Sequence, residues 1–361
     1  MCTTKNLLLA LLLFTGACKK SNTADPVPVT PVLPTTYYYP PIGSDTWETI
    51  SPSALGWDVA KLNEAIAYAQ SKSTYGLIIL YKGRIVTENY WNGWNFDTKY
   101  PIASAGKSVT AFLVGLAQQE GILNINNKTS QYLGTGWTTA PLAKENLITV
   151  RHQLTMTTGL DETVPDDNCI TPACLKYKAD AGTQWFYYNA PYRLLQDVVA
   201  NASGINYNQY TKTRLADKIG MKNYIWFDYV LYLNTRDMAR FGSLIASRGS
   251  WNGTKLMTDD AYFSAMTNTS NTYNQSYGYL WWLNGKSSYM VPTLYNVFSG
   301  SLAPSAPADM ISGLGKGDKK IYVVPSKELV VIRHGDDTGQ NVLGPSSFDN
   351  DFWAKLMLAI R

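Results

Sequence analysis

Apolar positions recur at helical spacing over residues 58–72, where Val59, Leu62, Ile66 and Ala69 share a face and Asp58 stands at the N-cap. Two β-rich runs follow, 77–81 and 85–90, separated by Lys82-Gly83-Arg84, which predicts a hairpin. From Ser104 to Gln119 the residues Val109, Phe112, Leu113, Leu116 and Ala117 keep a helical period until Gly121 stops it. This helix is apolar around most of its circumference, the pattern of a segment buried near the centre of a domain. Helices and loops then dominate to about Asn268, with helical stretches over 149–157, 190–201, 207–219 and 235–248. β-character returns in 278–283, 320–324 and 329–333, and 349–361 closes the chain as an amphipathic helix. Strands at both ends with helices between them predict an α/β (α+β) fold. One sheet is built from the N- and C-terminal segments and flanked by helices, a mostly helical region is inserted at about 108–270, and a cleft lies between the two parts.

The first residues change the picture at one end. Lys5, the apolar run Leu7 to Phe14 and the small residues Gly16 and Ala17 before Cys18 read as an export signal over 1–18. The run is too short to span a bilayer as a mature helix. Small residues leading into a cysteine resemble a bacterial lipoprotein cleavage site, which makes Cys18 a candidate for lipidation and the membrane a partner through that anchor. Thr15 stands where leucine is usual, and simple secretion is the alternative. Pro26, Pro28, Pro31 and Pro34 mark residues 19–46 as a semi-rigid linker holding a domain, 47–361, away from a periplasmic or outer-membrane surface.

Composition narrows the function classes. Charged residues make up 16% and aromatics 13% of the 361-residue chain, and the net charge of +4 comes from scattered Lys and Arg with no basic run. Nucleic acid is therefore not an expected partner. Of four cysteines, Cys169 and Cys174 enclose Ile-Thr-Pro-Ala, and with only two histidines, His152 and His334, a zinc site lacks ligands. A small disulfide is the better reading, and no metal or cofactor is expected.

The chemistry centres on Ser104 and Lys107. Three residues apart at the start of a helix, they share a face, so the amine can stand beside the hydroxyl as its base. A serine hydroxyl needs such a base to become a nucleophile. Histidine is the familiar one, but His152 reads as a polar helix residue and His334 as a solvated turn residue after a strand. Lysine can serve once burial brings its pKa towards neutrality. Tyr187 and Asn189, at i and i+2 in Trp185-Phe186-Tyr187-Tyr188-Asn189, point the same way if extended. Tyr187 could share a proton with Ser104 and Lys107, and the Asn189 amide could hold a substrate carbonyl.

With Ser-x-x-Lys at 104–107 and Tyr-x-Asn at 187–189, the chain resembles the serine β-lactamase and penicillin-binding-protein-like superfamily. The branch it resembles contains class C β-lactamases, esterases and 6-aminohexanoate-dimer hydrolases. Glu120-Gly121-Ile122-Leu123, Thr158-Gly159-Leu160, the 236–242 segment and Tyr277 to Trp282 extend the resemblance from about Trp47 to the C-terminus. It implies a β-lactamase/transpeptidase-like fold and an acyl-enzyme mechanism on a small-molecule or peptide substrate. Ser104 is the implied nucleophile, with Lys107 and Tyr187 moving its proton. A third family signature, Lys-Thr-Gly, is absent; Ser312-Gly313 is the nearest counterpart, and Leu314 stands where an oxyanion-binding amide is implied. The missing lysine, unless Lys316 replaces it, favours esters or amides over cell-wall D-amino-acid peptides and β-lactams. A non-catalytic envelope binding protein is the alternative of another class.

Overall fold

The computed structural model describes residues 1–2, 33–339 and 345–360. Cys18 and the export signal lie outside the described residues, apart from Met1 and Cys2. No helix among the described residues is long and apolar enough to cross a membrane.

Six antiparallel strands form the central sheet. In chain order they are β1 (Thr74–Tyr81), β2 (Arg84–Tyr90), β3 (Trp282–Leu283), β4 (Ile311–Gly315), β5 (Lys319–Val324) and β6 (Leu329–Gly335), arranged β2-β1-β6-β5-β4-β3. The N-terminal hairpin is thus completed by C-terminal strands, as the two-ended β pattern predicts. β1 pairs with β6 from Tyr81↔Leu329 to Thr74↔Gly335, so strands over 200 residues apart in sequence share the middle of the sheet.

Both faces are covered. Helix α1 (Val59–Ser71) packs on β1 and against the C-terminal helix, whose range is Ser347–Ala359. On β5 and β6 the side chains alternate, as the strand period requires. Tyr322 and Arg333 reach the rings of Trp353 and Phe348 in that C-terminal helix. Val330, Ile321 and Ile332 stand instead under Gly242, in the helix Thr235–Ala246. A Cβ at Gly242 would press within 2.5 Å of Val330, so its absence lets this helix lie close to the sheet. Strands buried on both faces read as the continuous apolar runs seen in the sequence.

Helix α2 (Gly106–Gln119) runs through the protein's interior, with every residue from Gly106 to Ala117 buried. It packs against helix α3 (Asn189–Ser203) on one side and β4 on the other. The cleft therefore forms where a helix from the middle of the chain meets the edge of the sheet.

Three expectations change. The helical stretch of 108–270 is not one inserted block, because Thr235–Ala246 returns to cover the sheet. The same stretch holds the short strands Ile225–Phe227 and Val230–Leu233, the second paired with Tyr100–Pro101. The segment 33–46, read as linker, belongs to the folded unit that begins at Leu33. Its Tyr38 amide donates to the Lys82 carbonyl at 2.9 Å, and Arg240 donates to the carbonyls of Pro40, Pro41 and Ser44. The proline-rich pattern hid this: the strap has no periodic apolar face, yet it is held by these backbone carbonyls and by Tyr38 and Tyr39 packing on the core, with Tyr39 against Trp251. His334, expected in a solvated turn, lies inside β6 and is fully buried beside Trp94 and Tyr100. Burial, then the nearby Lys319, pushes its pKa down to about 3, so it stays neutral.

Candidate active site

Ser104 sits in a tight turn, Ala103–Ala105, that leads directly into α2. The Ile102 amide donates to the Leu231 carbonyl at 2.9 Å and the Ala105 amide to the Ile102 carbonyl at 3.1 Å, which fixes the turn from both sides. Ala103 has φ of 48°, in the left-handed region that a side chain disfavours. Strain of this kind persists only where the surroundings impose it, here immediately before the serine.

One helical turn on, Lys107 is only 3% exposed. Its Nζ lies 2.9 Å from Ser104 Oγ and 2.7 Å from Asn189 Oδ1. The rings of Tyr192 and Tyr187 stand 4.3 and 4.9 Å from the same nitrogen. Burial lowers the Lys107 pKa from 10.5 to about 7; Asp167 acts against this and Arg193 with it. The amine is thereby available as a base near neutral pH, which an exposed lysine is not.

Tyr187 precedes α3 and is packed among Trp185, Tyr277 and Trp282. Burial raises the pKa of its hydroxyl, and the Ser104 hydroxyl opposes that rise. Tyr187 is therefore a neutral phenol facing the serine, able to pass a proton rather than to act as a standing anion. Asn189 opens α3, so the loop-to-helix transition brings both residues of the Tyr-x-Asn pair to Lys107.

β4 closes the other side. A Cβ on Gly313 would lie 3.0 Å from Ser108 Oγ and 3.4 Å from the Ala105 carbonyl, and one on Gly315 would collide with the Ile102 carbonyl. Glycine at both positions lets the strand touch the turn that carries Ser104, with Leu314 between them. β3 pairs with Ile311 and Ser312, so among the described residues the outer edge of β4 beyond Ser312 has no strand partner. Ser312 itself is buried in the sheet between Trp282 and Tyr322.

The cleft over Ser104 has a volume of about 250 Å³. Besides Ser104, Lys107 and Asn189, its walls include Asp167, Tyr192, Arg193, Tyr229 and Lys316. Lys316 follows the last residue of β4 and supplies a cation on the side where the family's third-motif lysine is missing. Sequence reading missed Asp167, which no motif marks. It also missed Arg193, although its place four residues after Asn189 on one helix was available as a signal. The Cys169–Cys174 pair is bridged, with Cα atoms 5.9 Å apart, in the loop that supplies Asp167. Among the described residues no cluster of His, Cys, Asp or Glu is placed to hold a metal.

Buried Lys107 at the head of α2, Ser104 in the turn before it and Tyr187 reaching in from the segment before α3 meet beside the antiparallel sheet. The family model described as Beta-lactamase matches residues 60–341, and the chain belongs to that family. A curated relative, an uncharacterized protein of Alkalihalophilus pseudofirmus, is 21% identical over 71% of this chain and 82% of its own length. The D-alanyl-D-alanine-carboxypeptidase/endopeptidase AmpH of Escherichia coli K12 is 27% identical over 43% of this chain and 42% of its own. Among solved structures, a candidate 6-aminohexanoate-dimer hydrolase from Bacillus anthracis matches with a TM-score of 0.64 at 16% identity, covering 82% of this chain and 80% of that one. A penicillin-binding-protein homologue from Caulobacter crescentus gives 0.64 at 13% identity, covering 83% and 97%. At these identities the structural matches establish the fold.

Proposed function

We propose that this protein is an exported serine hydrolase that cleaves an ester or amide bond through an acyl-enzyme on Ser104. The observation that carries the reading is the Lys107 amine, buried, lowered to a pKa of about 7 and 2.9 Å from the Ser104 hydroxyl. Lys107 takes the proton as Ser104 attacks the carbonyl. The backbone amides of Ser104 and Leu314 receive the oxyanion, held together by the close approach at Gly313 and Gly315. Tyr187 passes a proton to the leaving group, and water then releases the acyl group from Ser104. Asn189 orients the lysine and the substrate carbonyl.

A second reading, a peptidase of D-amino-acid peptides or a β-lactamase, is favoured by one observation. Lys316 lines the cleft with Arg193, so cations that can receive a substrate carboxylate are present without Lys-Thr-Gly. The similarity to AmpH is in keeping with it. Attachment to the envelope through lipid on Cys18 is part of the proposal, and a Cys18→Ser chain found in the soluble fraction would agree with it.

A fluorophosphonate probe and a panel of p-nitrophenyl esters, nitrocefin and D-amino-acid peptides, run on the wild type and Ser104→Ala, test these readings. Labelling and turnover that vanish in Ser104→Ala support the hydrolase, and the panel ranks the substrates. A folded wild type that neither labels nor turns over any of them, while still binding an envelope ligand, would establish the non-catalytic alternative.

A further inference from the structure

The Asn189 amide has two different ends, and which end faces Lys107 decides what the lysine can do. Its Oδ1 accepts from Lys107 Nζ at 2.7 Å, while its Nδ2 donates to Asp167 Oδ2 at 2.7 Å. A carboxylate only accepts, so Asp167 is compatible with one orientation of the amide. Flipped, the amide would set oxygen against oxygen at Asp167 and its NH2 against the lysine. In the observed orientation a Lys107 N–H is committed to Asn189. The lone pair of the neutral amine is then left for the Ser104 proton.

Asp167 is itself held in place. It belongs to the loop between Leu160 and Tyr187, and the next residue, Asn168, accepts through its carbonyl from Arg193 Nη1 at 3.2 Å. Arg193 is in turn fixed by the Asp228 carboxylate at 2.6 Å and lies against the Tyr229 ring. One residue further, Cys169 is bridged to Cys174. The loop thus docks on the first turns of α3 at Asn189 and Arg193, and Asp167 reaches the cleft wall beside Ser104.

We propose that Asp167 is a positioning residue for the nucleophile: it locks the Asn189 amide and, through it, aims the Lys107 lone pair at Ser104. The inference rests on the acyl-enzyme reading above. A second consequence follows from charge. The groups facing Lys107 are Ser104 and the rings of Tyr187 and Tyr192, with Asn189 and Arg193 from α3, and Asp167 from the loop; Lys316 lines the same cleft. Asp167 is the carboxylate acting on this set, and it opposes the effects of burial and of Arg193 on Lys107. Removing its charge lets the lysine lose its proton at lower pH.

The test is the rate of fluorophosphonate labelling of Ser104 as a function of pH, for the wild type, Asp167→Asn and Asp167→Ala. Asp167→Asn removes the charge and, because an amide donates as well as accepts, also the selection between the two ends of Asn189. Its acid limb should move to lower pH by about 0.5–1 unit, and its plateau should fall severalfold as both orientations of Asn189 become populated. Asp167→Ala loses the acceptor as well, and its plateau should fall by about 10- to 100-fold. A purely structural role would lower the melting temperature and leave the pH profile in place. Should Asp167→Ala fail to fold, the isosteric Asp167→Asn decides alone. Superimposable profiles, or a limb moved to higher pH, would overturn the proposal while leaving the hydrolase reading intact. A wild type that labels at no pH overturns the hydrolase reading, and the positioning role falls with it.

Discussion

Lys107 and Lys320 are both removed from water, at 3% and 0% exposure, but their neighbours differ in kind. Lys320, on β5, lies 3.0 Å from Asp318 and 2.9 Å from Asp349. Those carboxylates are satisfied further: Asp349 accepts from the Tyr322 hydroxyl and the Ser346 amide, Asp318 from the hydroxyls of Ser346 and Thr338. Burial alone would raise the pKa of Asp318, yet Lys320 and these donors bring it down to about 2. This is a closed network in which every charge has a partner, and it ties β5 to the C-terminal helix. Lys107 has an amide, a hydroxyl and aromatic faces in contact, with its nearest influential carboxylate one residue removed behind Asn189. One lysine is held by carboxylates that touch it; the other has none in contact, and burial sets its pKa.

The largest effect expected from this contrast is on activity. Lys107→Met should cut the labelling rate of Ser104 and turnover by on the order of 10⁴-fold, since residues acting as a unit with the nucleophile are not replaceable singly. Lys320→Met should leave both close to wild type in whatever fraction of the protein remains folded. Equal losses in the two variants would erase the distinction between them.

Next in size is the effect on folding. Lys320→Met leaves Asp318 and Asp349 buried without their cation, which should cost about 3–5 kcal/mol in denaturant unfolding. The triple variant Lys320→Met, Asp318→Asn, Asp349→Asn should recover part of this loss, because it removes the uncompensated charges too. A Lys320→Met chain as stable as wild type would show that the network contributes little.

The difference between these lysines was only half legible in the sequence. Ser104 and Lys107 could be placed together because they lie on one short helical stretch, where spacing alone sets neighbours. Tyr187 and Asn189 carried a similarly local signal. Lys320 was recognisable as part of a strand, but its partners come from a turn and from a helix beginning near Ser347, so their meeting depends on register and on packing of the C-terminal helix. His334 failed for the same reason: the strand continues to Gly335, and its pairing with β1 buries what looked like a turn. Asp167 was invisible because a loop residue declares its role only once the loop is docked. The helix Thr235–Ala246 read correctly as a helix, yet its sheet-covering position rests on Gly242 against Val330, a contact no periodicity encodes.

The smallest effect is the one that most directly measures what the active-site lysine costs the fold. The Lys107 pKa is about 7 folded against 10.5 for the unperturbed group. Between those values the unfolded chain holds a proton that the folded one has released, so wild-type stability rises with pH over that window. Below about pH 7 both states are protonated and the full penalty of a buried ammonium is present; towards pH 10.5 both become neutral and it disappears. Lys107→Met carries no such penalty and keeps a side chain of similar length among Tyr187 and Tyr192. It should be more stable than wild type by roughly 1–3 kcal/mol at pH 6–7, and the gap should close as pH rises towards 10. Chemical denaturation of both chains across that range reads the gap directly. A gap that stays constant with pH would mean that the lysine is not depressed in the folded state and that Ser104 must draw its base from elsewhere. A gap that widens would give the opposite sign and place a stabilising partner charge beside Lys107, making it a second Lys320.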